Sequence, residues 1–432
     1  MKLPQRPRLP WNRGKSVEMT FEEQMLRTAT LALIAFGAVM VYSASSGTSL
    51  LSDGGDSSEY LKRYLMSAVL GLVALSFFAR NGVDTARRLT PLLLMVAFAG
   101  LVLVMVPGVG IEANGSRRWL GAGPLQFQPS EVAKLALVLY AAMLISGQPE
   151  RMRSLAGVRP LILLAGTMAG LVLVEPDLGT AMVICLTLGA LLLVGGFSMR
   201  HLLMLFGGLV MLALIAALIE PYRRERLTSF LDPWADAQGG GFQSVQAMIA
   251  IGSGGFFGVG LGESVQKLFY LPEAHTDMIL AVIGEELGFV GMSVVLFFYG
   301  MIAYAGLRSA RLAKDMYAKL VAAGITSVIL IQATVNFFAV LGVLPLTGVP
   351  LPFISYGNSN LVVLLAGMGI LINVSRQGAA RPALRLVDAA GRKGGSGAAA
   401  IRKAADANRG DRSGRDRRAR RAGAGSRRRA AG

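Results

Sequence analysis

Three ionisable side chains stand at one polar turn, Leu271-Pro-Glu273-Ala-His275-Thr-Asp277, which opens directly into the apolar run Met278-Ile-Leu-Ala-Val-Ile-Gly. Two more carboxylates, Glu285 and Glu286, follow inside that run. Ionisable groups at or below a membrane surface are costly and usually have a task. The residues leave three readings of Asp277 open. It caps the following helix by accepting from the first free N–H groups; it belongs to an ion-pair network with Lys267 or a nearby Arg; or it is a general base with a raised pKa. Eight and nine residues on, Glu285 and Glu286 lie about 12–14 Å further along a helix and on different faces from one another. They cannot both join Asp277, and interhelical hydrogen bonding is the expectation for them.

Two further clusters carry polar groups. Asn114-Gly-Ser-Arg117-Arg118-Trp119 leads to Phe127-Gln-Pro-Ser-Glu131, and its guanidinium groups beside an aromatic ring suit a diphosphate or lipid headgroup. Pro350-Leu-Pro-Phe-Ile-Ser355-Tyr-Gly-Asn-Ser-Asn360 combines helix breakers with hydroxyls and reads as a broken helix lining a cavity. A structural role is open for each. The Gly-rich stretch Ala250–Gly262 follows no strand, which argues against a nucleotide loop.

These groups sit in a strongly apolar chain. Of 432 residues 53% are hydrophobic and only 16% charged, with mean hydropathy +0.54; a soluble protein carries about 25% charge. The class is all-α integral membrane, a polytopic bundle of about ten transmembrane helices. The expected spans are 28–46, 61–79, 89–106, 129–146, 159–175, 178–196, 200–219, 278–305, 318–342 and 353–375, with Glu175-Pro176-Asp177 turning the chain between the fifth and sixth. The net charge of +17 is no nucleic-acid signal, because the stretch from Arg376 to Gly432 holds 17 Lys and Arg against 4 Asp and Glu. That stretch, 376–432, reads as a disordered basic tail able to lie on anionic membrane lipids or an acidic partner. Cys185 is the single cysteine and lies in an apolar run, so it reads as packing. The first apolar run has spanning length and no clear cleavage site, which is not the pattern of a signal peptide.

Lys and Arg set the orientation. An arm over 1–27 with Lys2, Arg6, Arg8, Arg13 and Lys15, the loop with Arg80, Arg87 and Arg88, that with Arg151, Arg153 and Arg159, and that with Arg308, Arg311, Lys314 and Lys319 share one side with the tail. Both termini are then cytoplasmic. Asp53, Asp56 and Glu59, the loop over 220–277 between spans seven and eight, and Asp277 are extracytoplasmic. Arg117, Arg118, Arg223, Arg224, Arg226 and Lys267 fall on the outer side against the bias, which suggests an anionic ligand there, with salt bridges to outer acids as the plainer reading.

Together these motifs resemble the SEDS family (shape, elongation, division and sporulation proteins), over roughly Thr28 to Ser375. The resemblance rests on Arg117-Arg-Trp-Leu with Phe127-Gln-Pro-Ser-Glu131, Glu175-Pro-Asp-Leu-Gly-Thr180, Gln266-Lys-Leu-Phe-Tyr-Leu-Pro-Glu-Ala-His-Thr-Asp277, Gly284-Glu-Glu-Leu-Gly288, and Leu344-Pro-Leu-Thr-Gly-Val-Pro-Leu-Pro-Phe-Ile-Ser-Tyr-Gly357. Met40-Val-Tyr-Ser-Ala-Ser45, Tyr222-Arg-Arg-Glu-Arg-Leu-Thr-Ser-Phe230 and Ala274 resemble the division branch more than the elongation branch.

The resemblance implies a peptidoglycan glycosyltransferase that polymerises lipid II in a bacterial plasma membrane at the division septum. It implies that Asp277 is the catalytic base on the acceptor 4-hydroxyl, with undecaprenyl diphosphate as leaving group. Arg117, Arg118 and Lys267 are then candidates for the diphosphate, and Glu131, His275 and Ser355 for other substrate contacts. Glu175, Asp177, Glu273, Glu285 and Glu286 are supporting residues. A divalent cation, Mg²⁺ or Mn²⁺, is implied by resemblance alone, since no metal-ligand cluster is visible; no organic cofactor is expected. The implied partners are a class B penicillin-binding protein transpeptidase of the FtsI type and other divisome proteins. The chain departs from the family pattern at Asn358 and Asn360, at Thr347 where many division members have Lys, and at Met278 where an aromatic is usual. A lipid II flippase or a non-catalytic divisome scaffold is the alternative function.

Overall fold

The computed structural model describes residues 19–52, 55–113, 116–122, 125–219, 229–268 and 270–378. Arg223, Arg224, Arg226 and the tail from Ala379 lie outside them. Among the described residues ten α-helices make up most of the fold: α1 (Phe21–Ser52), α2 (Glu59–Val104), α3 (Pro129–Gly147), α4 (Leu155–Val174), α5 (Leu178–Val194), α6 (Met199–Ile219), α7 (Phe242–Gly254), α8 (Ile279–Leu312), α9 (Met316–Val340) and α10 (Asn358–Gly378). Seven of these are long and apolar enough to cross a membrane, and α5 and α6 carry shorter apolar stretches.

The expected second and third spans are the two halves of α2, which meet at a break. Its 46 residues would measure about 69 Å if straight, more than twice a hydrocarbon core of about 30 Å. It breaks at Gly82, whose φ of 83° suits glycine. The backbone groups freed there need partners in a setting without water. Asn373 of α10 supplies them, accepting from Val83 N–H (3.3 Å) and donating to Ala79 O (3.0 Å). The Arg80–Arg88 stretch, expected as a loop, is helical on either side of Gly82, with Arg87 over the Tyr317 ring.

Strands were not expected in an all-α chain. The segment holding Arg117 and Arg118 is a three-stranded antiparallel sheet of β1 (Ile111–Ala113), β2 (Ser116–Ala122) and β3 (Leu125–Phe127), in the order β1-β2-β3. Ile111 pairs with Trp119 and Leu120 with Phe127. Successive strand residues face opposite ways, so Arg117 and Arg118 part company.

The 220–277 segment, expected as irregular, contains a short 3₁₀ turn (Pro233–Asp236) and α7. Its Gly-rich stretch then folds against a break in α8 at Gly288. Val259 and Gly260 N–H groups donate to the carbonyls of Glu285 (2.9 Å) and Glu286 (3.0 Å), while Phe289 and Val290 N–H donate to Gly255 (3.0 Å) and Phe256 (3.2 Å). Loop and broken helix thus complete each other's hydrogen bonds, as non-helical backbone buried in a membrane protein must. Gly258 has φ +82°, and a Cβ there would lie 2.1 Å from Glu286 O. We expect Gly258→Ala to destabilise the fold by about 1–3 kcal/mol, read as a lowered melting temperature in detergent; an unchanged melt would show that this contact is not tight.

At the end of the bundle away from Asp277, Glu23 binds Arg376 (2.6 Å) and Arg27 (2.9 Å), and Glu22 binds Arg308 (2.9 Å). These pairs tie α1, α8 and α10 together. α1 starts at Phe21, inside the segment expected as an N-terminal arm.

Candidate active site

Four chain segments converge at the other end. Arg118 of β2 donates to the carbonyls of Glu175 (3.0 Å) and Pro176, in the α4–α5 turn. Gln128, just before α3, donates its N–H to Ser359 Oγ at the start of α10 (2.9 Å). Tyr356 N–H donates to His275 O (3.0 Å), which joins the α10 entry to the Asp277 turn.

The turn is held from below. Asn336 of α9 donates to both Asp277 O (2.7 Å) and Val349 O (2.9 Å). The following loop is pinned by two phenols, Tyr64 on Phe353 O and Tyr299 on Pro352 O (2.6 Å). Ser355 Oγ accepts from Leu351 N–H (2.8 Å) within the same loop and is buried, so this hydroxyl shapes the loop and does not reach outward. Gly348 presents an open backbone beside the carboxylate: a Cβ built on it would lie 4.0 Å from Asp277 Oδ2.

Two of the three readings of Asp277 fail on this geometry. The N-cap of α8 is Met278, and no side chain caps the helix. Among the described residues no Lys or Arg pairs with Asp277; Lys267 is turned elsewhere. The Met278 N–H donates to the Glu273 carbonyl (3.3 Å), and the Asp277 and Met278 N–H groups lie near enough to the carboxylate to lower its pKa. The Thr276 hydroxyl lies 3.2 Å from Asp277 Oδ1 and 2.9 Å from Glu273 Oε2, so one proton serves either of two acids. Burial, followed by the negative Glu273, pushes the Asp277 carboxyl up to about 6, against the pull of these donors. Such a group is ionised at neutral pH yet basic enough to take a proton from a hydroxyl.

His275 is held neutral, its pKa lowered by burial in spite of Glu273. Its ring lies 4.3 Å from that of Tyr60 and 5.6 Å from that of Tyr356, and Tyr60 and Tyr356 meet edge-on at 5.1 Å. The cluster ties the first turn of α2 to the Asp277 turn.

The cations expected at a diphosphate are placed otherwise. Lys267 is buried, and its three donors are spent on Glu286 Oε1 (2.7 Å), Gly262 O (2.7 Å) and Ser43 Oγ (3.1 Å). Arg118 serves backbone carbonyls, as above. Arg117 pairs with Glu112 at 3.3 Å on the exposed sheet, a contact of little energetic weight. Glu131 is closed off in α3 by Lys134 (2.8 Å), both buried. Glu285 holds Ser264 Oγ and Val265 N–H (3.1 Å), so both α8 carboxylates face the Gly-rich segment and not Asp277. Asp177 caps α5 through Thr180 N–H (2.9 Å). Glu175 beside it is buried with neither carboxylate oxygen partnered, and burial with the Asp177 charge pushes it up to about 8, against Arg118. It is therefore a neutral acid at pH 7.

A divalent cation finds little to hold it. Among the described residues no three His, Cys, Asp or Glu side chains gather, and a protonated Glu175 is a poor ligand. The donor set does not fit a resident metal, and no chemical step below depends on one.

Asn336, Tyr60, Tyr356 and Arg63 are the residues that sequence reasoning passed over. Asn336 had a signal, as an amide in an apolar helix, and Tyr356 stood inside the Pro350–Asn360 cluster; Tyr60 and Arg63 had none, because α2 meets the turn only in the folded chain.

The comparisons with known proteins agree on one family. The profile of the FtsW, RodA and SpoVE cell cycle proteins matches residues 23–380. Stage V sporulation protein E of Bacillus subtilis is 40% identical over 366 residues, covering 84% of this chain and 99% of that one. A probable peptidoglycan glycosyltransferase FtsW of Thioalkalivibrio sulfidiphilus is 42% identical over 391 residues, 88% of this chain and 97% of its own. Among solved structures, a chain of a peptidoglycan synthase complex coordinating polymerization and crosslinking superposes with TM-score 0.68 at 32% identity, covering 81% of this chain and 96% of that chain. The rod shape determining protein RodA of Thermus thermophilus gives 0.60 at 30% identity, over 81% and 95%.

Proposed function

The chain belongs to the FtsW, RodA and SpoVE family of cell cycle proteins and is a membrane peptidoglycan glycosyltransferase, and we propose that it polymerises lipid II during septal wall synthesis with Asp277 as general base. The observation that carries this is the Asp277 carboxylate, free of any cation among the described residues and raised to about 6 beside an open glycine backbone. Asp277 takes the proton from the GlcNAc 4-hydroxyl of an incoming lipid II. That oxygen attacks C1 of the donor MurNAc on the opposite face, and the C1–O bond to undecaprenyl diphosphate breaks with inversion. The diphosphate leaves as a stable anion, so no second, protonated carboxyl is needed as in inverting hydrolases.

Basic residues placed on the far end of the bundle favour that end as cytoplasmic and the Asp277 end as extracytoplasmic. Both termini and the basic tail then lie in the cytoplasm, and the chain sits at the division septum. The neighbouring synthase complex supports a class B penicillin-binding protein transpeptidase as partner, with other divisome proteins beside it. The test is to incubate the purified protein and its cognate transpeptidase with lipid II. Glycan polymer is expected; translocation of lipid II across liposomes with no polymer would instead favour a flippase.

The pH dependence has a defined sign. The base works only as carboxylate, so the rate should fall as pH drops through about 6. Removing the negative neighbour lowers the Asp277 pKa, so Glu273→Gln should move this acid limb to lower pH while leaving the plateau within about threefold. A limb that stays in place would show that Glu273 does not act on Asp277.

A further inference from the structure

Resting on the lipid II reading, we propose that Arg63 of α2, carried to the Asp277 turn by the Tyr60–His275–Tyr356 rings, is the cation that binds the lipid-linked diphosphate. The donor's leaving group bears charge that must be met next to the base, and the cations suggested by sequence are engaged elsewhere. Arg63 is not. Its side chain is 37% exposed, and its guanidinium pairs with Glu59 one turn away and meets the Tyr356 hydroxyl. A guanidinium has five N–H donors in a planar fork suited to phosphate oxygens, so at least three remain for a ligand.

Position supports the same role. Tyr60, Arg63 and Ser67 recur at helical spacing on one face of α2. The Tyr60 ring lies tilted against that of His275, and Ser67 Oγ donates to Asn358 Oδ1 (3.0 Å). Asn358 Nδ2 in turn lies 3.4 Å from the Tyr356 hydroxyl, the group that Arg63 meets. The Tyr356 N–H is bound to His275 O, two residues from Asp277. The base and the guanidinium thus share one hydrogen-bonded frame. Glu59 acts as a placeholder: its partly exposed pair with Arg63 is weak, and a diphosphate with more charge and more acceptors displaces it. Asn358, where the family usually has glycine, gives the Tyr356 hydroxyl a second neighbour and fixes it beside Arg63.

The experiment is titration of undecaprenyl diphosphate into the full-length protein in nanodiscs, with melting temperatures and polymerisation kinetics on the same samples. Loss of a charge-assisted contact should weaken binding by about tenfold or more. Arg63→Gln should show that loss and a matching rise in KM, Arg63→Lys a smaller one, and Asp277→Asn none. Arg63→Gln that melts as wild type and binds within twofold of it would overturn the proposal. If Arg63→Gln melts lower, Glu59→Gln decides: freed of its carboxylate, the guanidinium should bind more tightly, and unchanged or weaker binding overturns the assignment. Binding lost in Arg63→Gln while wild type makes no polymer would keep this site and remove the polymerase reading. Polymer from wild type with Arg63→Gln binding unchanged would do the reverse.

Discussion

Asp277→Asn should lower the rate of glycan extension about 10²–10⁴-fold, the usual contribution of a positioned general base, with lipid II binding and melting temperature close to wild type. The amide keeps the shape of the carboxyl and can still meet the Thr276 hydroxyl with its oxygen. The clamp beneath the turn is unaffected, because Asn336 binds the Asp277 main-chain oxygen and not its side chain. The loss therefore falls on the proton transfer. Full polymerisation by a folded Asp277→Asn protein would sink the base assignment, while an unfolded variant would show that the side chain is structural after all.

Lys267→Met should destabilise the protein by about 3–5 kcal/mol, the cost of leaving a buried charge without its partner. Glu286 is fully buried and would keep only Ser43 Oγ, at 2.7 Å. The pair also joins three segments: α1 through Ser43, the Gly-rich stretch through Lys267, and broken α8 through Glu286. The double variant Lys267→Met/Glu286→Leu should recover most of that loss, since an apolar pair of similar volume can replace a buried ion pair. Thermal melting in detergent separates this from substrate binding. A Lys267→Met protein that melts normally but fails to bind undecaprenyl diphosphate would return Lys267 to the diphosphate.

The helices were readable because lipid demands long apolar runs, and the Asp277 turn because it interrupts one. Tertiary partners hid the rest. The stretch from Arg80 to Arg88 is polar enough to read as a loop, yet it is helical on both sides of Gly82, and the Asn373 side chain, almost 300 residues away, satisfies the break. The short strands around Arg117 have no long period to announce them. Lys267 reads as a free cation on an outer loop, and only the fold-back onto Gly288 brings it to Glu286, 19 residues later. Arg63 gave no signal, since its meaning depends on Tyr356 lying against α2.

The most direct test of the central claim is the single-turnover rate of glycan extension from lipid II, measured from pH 5 to pH 8 in wild type and Asp277→Asn. The wild-type rate should rise about tenfold per pH unit below about 6 and level off above it, and the residual Asp277→Asn rate should lack that limb. A flat wild-type profile, or the same limb surviving in Asp277→Asn, would contradict it.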